Sequence, residues 1–237
     1  MGMPISVEIA RLKSLQPINE VFDFFVDIDN RFSPYKPDSE LSRLNQGAAQ
    51  SELSDDMRQI LKLCEETKQQ TGGYFDINKD GKIDTSGLVK GWAIYKGVEI
   101  LKNLGLTDFY IEAGGDIQVE GLNDKGEPWE VGIRSPFNIN EVIKVVRLSG
   151  MGIATSGAYI RGEHIYNPKQ NNQPPRKIKS MTVIGPNIYD ADRFATAAYA
   201  MGESGISFIA GLPGFEGYMV DEKGLATYTG GFEAYVG

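Results

Sequence analysis

The sequence is poor in the residues that cross-link, that titrate near neutrality, or that carry surplus positive charge. It has one cysteine, Cys64, and one histidine, His164, in 237 residues. A lone thiol excludes an internal disulfide and leaves the redox compartment open. No apolar run approaches the roughly 18–20 residues of a membrane-spanning helix. Lys and Arg number 24 against 32 Asp and Glu, giving a net charge of −8 and a pI near 4.8. A surface of that sign attracts neither nucleic acid nor an anionic membrane, so no nucleic-acid partner is expected. The start, Met-Gly-Met-Pro-Ile-Ser-Val, lacks the basic and apolar regions of a signal peptide. The chain therefore reads as cytoplasmic, or as extracytoplasmic or membrane-associated if a leader has been removed. Internal repeats, low-complexity tracts and clear linkers are missing too, so residues 1–237 are expected to form a single domain.

Glycine is abundant, with 28 residues, well above the roughly 7% average. Tight turns and close backbone approaches follow. The alternation of Ile5 to Ile9 predicts a strand. Pro17 to Arg31 has helical spacing, with Val21, Phe24, Phe25 and Ile28 on one face, and Ser33-Pro34 breaks it. Ser54 to Thr71 is expected to be a second helix, capped by Ser54, with Met57, Ile60, Leu61 and Cys64 inward. Leu88 to Leu104 and Asp190 to Met201 are predicted helices. Strands are expected at Phe109–Ala113, Ile117–Glu120, Gly152–Thr155 and Met181–Ile184. Hairpins are expected over Trp129–Leu148 and Tyr218–Tyr228, and Asn167 to Lys179 reads as a long loop. Irregular interleaving of helices and strands with short turns favours an α+β class over a doubly wound sheet.

Several groups could carry chemistry. Asp192 and Thr196 lie four apart, on one face of a predicted helix. A carboxylate and a hydroxyl are hard oxygen donors that suit Mg²⁺, although Asp190 or Asp192 could equally cap the helix while Thr196 packs. Asp84 to Gly91 precedes a helix, where small residues expose N–H groups to an anion and Lys90 can reach a phosphate; an ordinary helix start is the plainer reading. Gly114-Gly115-Asp116 and Thr155-Ser156-Gly157 each follow a strand. Asp76 to Asp84 copies most of a calcium loop, but Gly87 stands where a bidentate glutamate belongs, which favours a turn between two short strands. His164 is the natural proton carrier near neutral pH, or else a structural group.

Taken in order along nearly the whole chain, these blocks resemble the ApbE family of FAD:protein FMN transferases. The resemblance rests on Met1-Gly2-Met3, Ser33-Pro34-Tyr35, Ser39 to Asn45, Gly73-Tyr-Phe-Asp76, Asp84 to Gly91, Gly114-Gly115-Asp116, Thr155-Ser156-Gly157, His164-Ile-Tyr-Asn-Pro168 and Ala191-Asp192 to Thr196. It implies an ApbE-like single domain, with mixed or antiparallel sheets and flanking helices around a central flavin cleft. It implies an FAD site built by Met1, Tyr35, Tyr74, Phe75, Asp76, Asp84, Lys90, Asp116 and Ile165. It implies Mg²⁺ held by Gly87, Asp192 and Thr196, with His164 as the catalytic base. The implied reaction joins FMN from FAD to a Thr or Ser hydroxyl of an acceptor flavoprotein, such as a redox-pump subunit, and releases AMP. Asn167 departs from the aspartate usual before that proline. FAD pyrophosphatase activity, or a non-catalytic module binding flavin or calcium, are the competing readings.

Overall fold

The computed structural model describes residues 2–158 and 165–237. Met1 and His164 lie outside the described residues. In chain order the elements are β1 (Ile5–Ile9), α1 (Gln16–Phe32), α2 (Glu40–Asn45), α3 (Asp55–Gln70), β2 (Asn78–Lys79), β3 (Lys82–Ile83), α4 (Ser86–Asn103), β4 (Phe109–Ala113), β5 (Asp116–Glu120), β6 (Trp129–Arg134), β7 (Val142–Leu148), β8 (Met151–Gly157), β9 (Ile178–Gly185), α5 (Ile188–Ala200), α6 (Gly205–Ala210), β10 (Glu216–Asp221) and β11 (Ala226–Tyr228).

Seven strands form the main sheet in the order β1-β4-β5-β8-β9-β10-β11. Each neighbouring pair is antiparallel, so the expected α+β class holds with antiparallel sheets throughout. Gly114 and Gly115 both take positive φ between β4 and β5, as the tight hairpin turn of type I′ requires. Asp80 and Gly81 do the same between β2 and β3. The calcium-like stretch is therefore a hairpin. Its first carboxylate, Asp76, is engaged by Lys68 at 2.7 Å and by the N–H of Asn78 at 2.9 Å.

Helices cover one face of the sheet. Val21, Phe25, Ile28 and Phe32 form the buried stripe of α1. Ser54 caps α3 by accepting the Met57 N–H, and the buried Glu40 accepts both the N–H and the hydroxyl of Ser54. That ties α2 to the start of α3. Two helices, α4 and α5, are buried on most of their circumference and pack on each other and on the sheet. Such helices have little amphipathic signature, which is why their starts are hard to read. The α4 helix begins at Ser86, two residues before the expected Leu88. The α5 helix begins at Ile188, and its cap is Asn187, which accepts the Asp190 N–H; neither Asp190 nor Asp192 is the cap.

The opposite face is covered by the separate β6–β7 hairpin. There a second core joins Ile117, Val119, Trp129, Val131, Val146 and Phe232. The loop after Asn167 folds back on itself, with the Asn167 N–H donating to Gln173 O at 2.8 Å, and β9 starts at Ile178.

Cys64 belongs to the helical core at 1% exposure. Burial, and then the Asp84 charge, push its thiol up to about 12. At pH 8 roughly one molecule in ten thousand would then carry the thiolate. Native protein at pH 8 is expected to resist a thiol-specific disulfide reagent for hours and to react within minutes in denaturant. Rapid labelling of the native form would contradict the burial.

Candidate active site

The site lies at one end of the main sheet. Register places Ala113 of β4 against Asp116 of β5, and Gly157 of β8 against Ser180 of β9. The start of α4 opens toward this end, whereas α5 begins at the other end beside Gly152 and runs antiparallel to α4, bringing Asp192 and then Thr196 to the site. At the site end lies an open cleft. Tyr74, Phe75, Asp76, Asp84, Gly87 and Lys90 line it from one side. Thr155, Ser156, Ile165, Tyr166, Asp192 and Thr196 line it from the other.

A buried ionic cluster joins the cleft wall to the residue beneath it. The Lys90 ammonium pairs with Asp116 and lies 3.6 Å from Asp192 Oδ1. Asp116 also accepts the Thr155 N–H at 3.1 Å, which joins β5 to β8. Asp192 Oδ2 accepts the Gly91 N–H at 2.8 Å. Burial raises the Asp192 pKa strongly; Lys90 opposes that rise, Asp116 adds to it, and the Gly91 N–H opposes it.

One turn along α5, the Thr196 hydroxyl lies 3.4 Å from Ser156 Oγ. Gly87 packs where a Cβ would meet Phe75 at 3.3 Å and Thr196 Cγ2 at 3.4 Å. A carboxylate, a hydroxyl and a backbone segment thus converge on one space. Among the described residues no three His, Cys, Asp or Glu side chains gather as a metal cluster. The Asp192, Thr196 and Gly87 set is of a different kind: hard oxygens of mixed origin, suited to a cation that keeps water and ligand oxygens.

Tyr166 donates from its hydroxyl to the Asp76 carbonyl at 2.6 Å. Burial, then the charges of Asp76 and Asp84, raise its pKa, so it stays a neutral donor. Burial works against the Asp76 carboxylate, but Lys68 and Asn78 outweigh it and hold the group below the ordinary carboxylate range. Lys169 lies over the Tyr74 ring at 4.4 Å.

A second cavity shares Asp84, Ser86 and Lys90 with the cleft. Its remaining walls include Met3, Ile28, Phe32, Tyr35 and Val89. Tyr35 stands here, 93% exposed at the rim, rather than in the main cleft. Asp116 is not on the cleft surface; it lies beneath, at 1% exposure. Met1 and His164 fall outside the described residues, and Ile165, next in sequence to His164, lines the cleft. Tyr166, Ser86 and Ile77 line it without having been singled out in the sequence. Tyr166 and Ser86 sit inside motifs already noted, whereas Ile77 was hidden by the calcium-like pattern.

The family model for the ApbE family matches residues 1–79 and 78–219. An FAD:protein FMN transferase of Haemophilus influenzae is 25% identical over 249 residues, covering 78% of this chain and 72% of that protein. One from Vibrio cholerae is 31% identical over 130 residues, 51% of this chain and 39% of that protein. One from Klebsiella pneumoniae is 28% identical over 151 residues, 60% of this chain and 43% of that protein. The matches thus span less than half the length of these last two relatives. Among solved structures, the flavin transferase ApbE from Vibrio cholerae superposes with a TM-score of 0.84 at 22% identity, covering 99% of this chain and 96% of that one. The ApbE protein of Thermotoga maritima gives 0.85 at 22% identity, covering 98% and 95%. These likenesses establish the shared fold.

The contact of α4 with α5 at the site leaves no room for a methyl group. A Cβ on Gly91 would lie 2.7 Å from Asp192 Cβ and 3.0 Å from the Ile188 carbonyl. Gly91→Ala is expected to destabilise the protein by about 1–3 kcal/mol, as overpacking does, measured by urea denaturation. Ala at the exposed Gly126, of positive φ but with open space around it, serves as the comparison. Equal stability of Gly91→Ala and the wild type would show that the two helices are less tightly joined than described.

Proposed function

We infer that this chain, which belongs to the ApbE family, is a Mg²⁺-dependent transferase moving FMN from FAD to a Thr or Ser hydroxyl of an acceptor flavoprotein. Residues 1–237 would act as one flavin transferase domain. The observation that carries this reading is convergence. Segments around Tyr74, Asp84, Gly114, Thr155, Ile165 and Asp192, far apart in sequence, line one cleft. A carboxylate, a hydroxyl and a cation stand together there.

The two joined cavities suit a dinucleotide. One ring system is assigned to each, which puts the diphosphate at the residues they share, Asp84, Ser86 and Lys90. The start of α4 favours negative charge at that point, as any helix N-terminus does. Lys90 is held in place by Asp116, so its charge is already oriented when the diphosphate arrives. Asp192, Thr196 and the carbonyl of Gly87 are the groups that would hold Mg²⁺. That ion, when bound, would neutralise phosphate charge as a Lewis acid.

In the reaction the acceptor hydroxyl oxygen forms a bond to the FMN phosphorus. The bond from that phosphorus to the bridging oxygen breaks, and AMP leaves with the electron pair. The hydroxyl proton needs a base, and His164 is the residue assigned to it, because its neighbour Ile165 lines the cleft. Tyr166 and Ile165 line the cleft, and their bulk would limit entry of water, which would otherwise divert the reaction to FMN and AMP.

The test is incubation with FAD, Mg²⁺ and a Thr-bearing peptide, followed by mass spectrometry. A gain equal to FMN minus water on the peptide is expected; AMP and FMN without labelling would indicate a pyrophosphatase instead. Asp192→Ala should abolish turnover at limiting Mg²⁺ and remove the Mg²⁺ dependence of FAD binding. Unchanged behaviour would exclude it as a ligand. His164→Ala should stop transfer while FAD affinity stays within about tenfold, or roughly 1.4 kcal/mol. Transfer persisting near the wild-type rate would assign the base elsewhere.

A further inference from the structure

The cleft continues beyond Ile165. Gly157 and Ile165 line it, and they also line a further cavity with Ala158, Pro174, Ile178 and Lys179. Pro175 is shared in turn between that cavity and an open groove bounded by Asn167, Gln170, Gln173, Arg176, Lys177 and Ala200. These neighbouring spaces form a series that leads from the Thr196 region out to the surface. The transfer chemistry derived above makes no use of its outer half.

The charge of this path is opposite to that of the molecule. From Asn167 to Ser180 the chain carries Lys169, Arg176, Lys177 and Lys179 and no carboxylate, in a protein of net charge −8. Arg176, Lys177 and Lys179 are exposed. Glu203 is the carboxylate lining the groove, and Lys177 pairs with it at 3.4 Å. That pair leaves Arg176 and Lys179 as uncompensated charge among the described residues. The side-chain amides of Gln170 and Gln173 add donors and acceptors together, which is what a peptide backbone requires of a surface.

We propose that this groove seats the acceptor polypeptide as an extended segment bearing acidic side chains near its hydroxyl residue. The proposal rests on the transferase reading, since it names the partner of the same site. Geometry gives the direction of entry. Gly157 belongs to both spaces, and its neighbour Ser156 lies 3.4 Å from the Thr196 hydroxyl. A segment advancing about 3.3 Å per residue past Gly157 delivers its hydroxyl beside the reacting phosphate. The dinucleotide cavities and this groove share only the cleft around Gly157 and Ile165, where the acceptor hydroxyl has to meet the phosphate. Acidic residues answer Arg176 and Lys179, and the net negative charge of the protein helps direct them to this basic strip.

The experiment uses three fluorescent peptides with one Thr each, flanked by Asp, Asn or Lys residues. Binding is followed by anisotropy and transfer by mass. Wild-type protein is expected to bind the Asp peptide about tenfold more tightly than the Asn peptide, with the margin shrinking as salt rises. The double variant Arg176→Glu/Lys179→Glu should lose that margin and favour the Lys peptide, with FAD affinity changed less than twofold. The neutral pair Arg176→Gln/Lys179→Gln, a milder change, should fall between. An unreversed preference in the folded double variant means that the acceptor docks elsewhere, and the proposal fails. Loss of FAD affinity would assign the groove to the nucleotide, and full displacement of the Asp peptide by millimolar inorganic phosphate would reduce it to a simple anion site. If the Asp peptide binds with the expected contrast yet is never labelled, the groove stands and the transferase reading falls.

Discussion

A lysine held between two interior carboxylates is the interaction on which the site depends. Taking three charged groups out of water costs several kcal/mol each, and mutual attraction offsets that only where the remaining polar atoms are also bonded. Here they are bonded to the backbone: Thr155 N–H serves Asp116, and Gly91 N–H serves Asp192. The cluster therefore fixes three elements at once, because Lys90 rides on α4, Asp116 starts β5 and Asp192 sits in the first turns of α5. With two acids and one base, a cation entering the cleft would favour the ionised form of Asp192, which burial and Asp116 otherwise disfavour.

Such a cluster requires backbones to come close, and glycine makes that possible. Gly152 of β8 faces the start of α5 so closely that a Cβ would lie 2.2 Å from the Ile188 nitrogen. Gly205 meets the Ala198 carbonyl in the same way, which seats α6 against α5. Alanines along α5 do the remaining work, letting the helix settle between α4 and the sheet. The surplus of glycine noted in the composition is thus largely a matter of helix approach and hairpin turning, at Gly91 and Gly152 in the first role and at Gly114-Gly115 in the second.

Much of this was legible in the chain, for physical reasons that differ by element. The stripe of Val21, Phe25 and Ile28 and the Ser54 cap announce α1 and α3, because one face of each meets solvent. Alternation announces β6, whose residues are buried and exposed in turn. The pairing of Asp192 with Thr196 follows from helical spacing alone. What spacing does not carry is the third dimension. Gly91 and Asp192 are 101 residues apart, and nothing local marks their bond. Lys90 reads as a phosphate ligand from its place near a helix start, whereas here it pairs with carboxylates. Asp116 reads as part of a ligand surface and proves to be a support beneath it. Tyr35 lies in the adjoining cavity because Ser33-Pro34 turns the chain outward after α1.

The sheet separates two apolar interiors, and each holds one of the two tryptophans. Trp92 lies among Phe24 and Phe32 on the helical side, while Trp129, the first residue of β6, packs tilted against Tyr110 on the hairpin side, its indole N–H donating to Glu120 O at 3.0 Å. The molecule thereby carries one intrinsic fluorophore per compartment. Single-tryptophan versions can report the melting of either layer alone, so whether both layers dissolve in one cooperative event becomes a directly observable property.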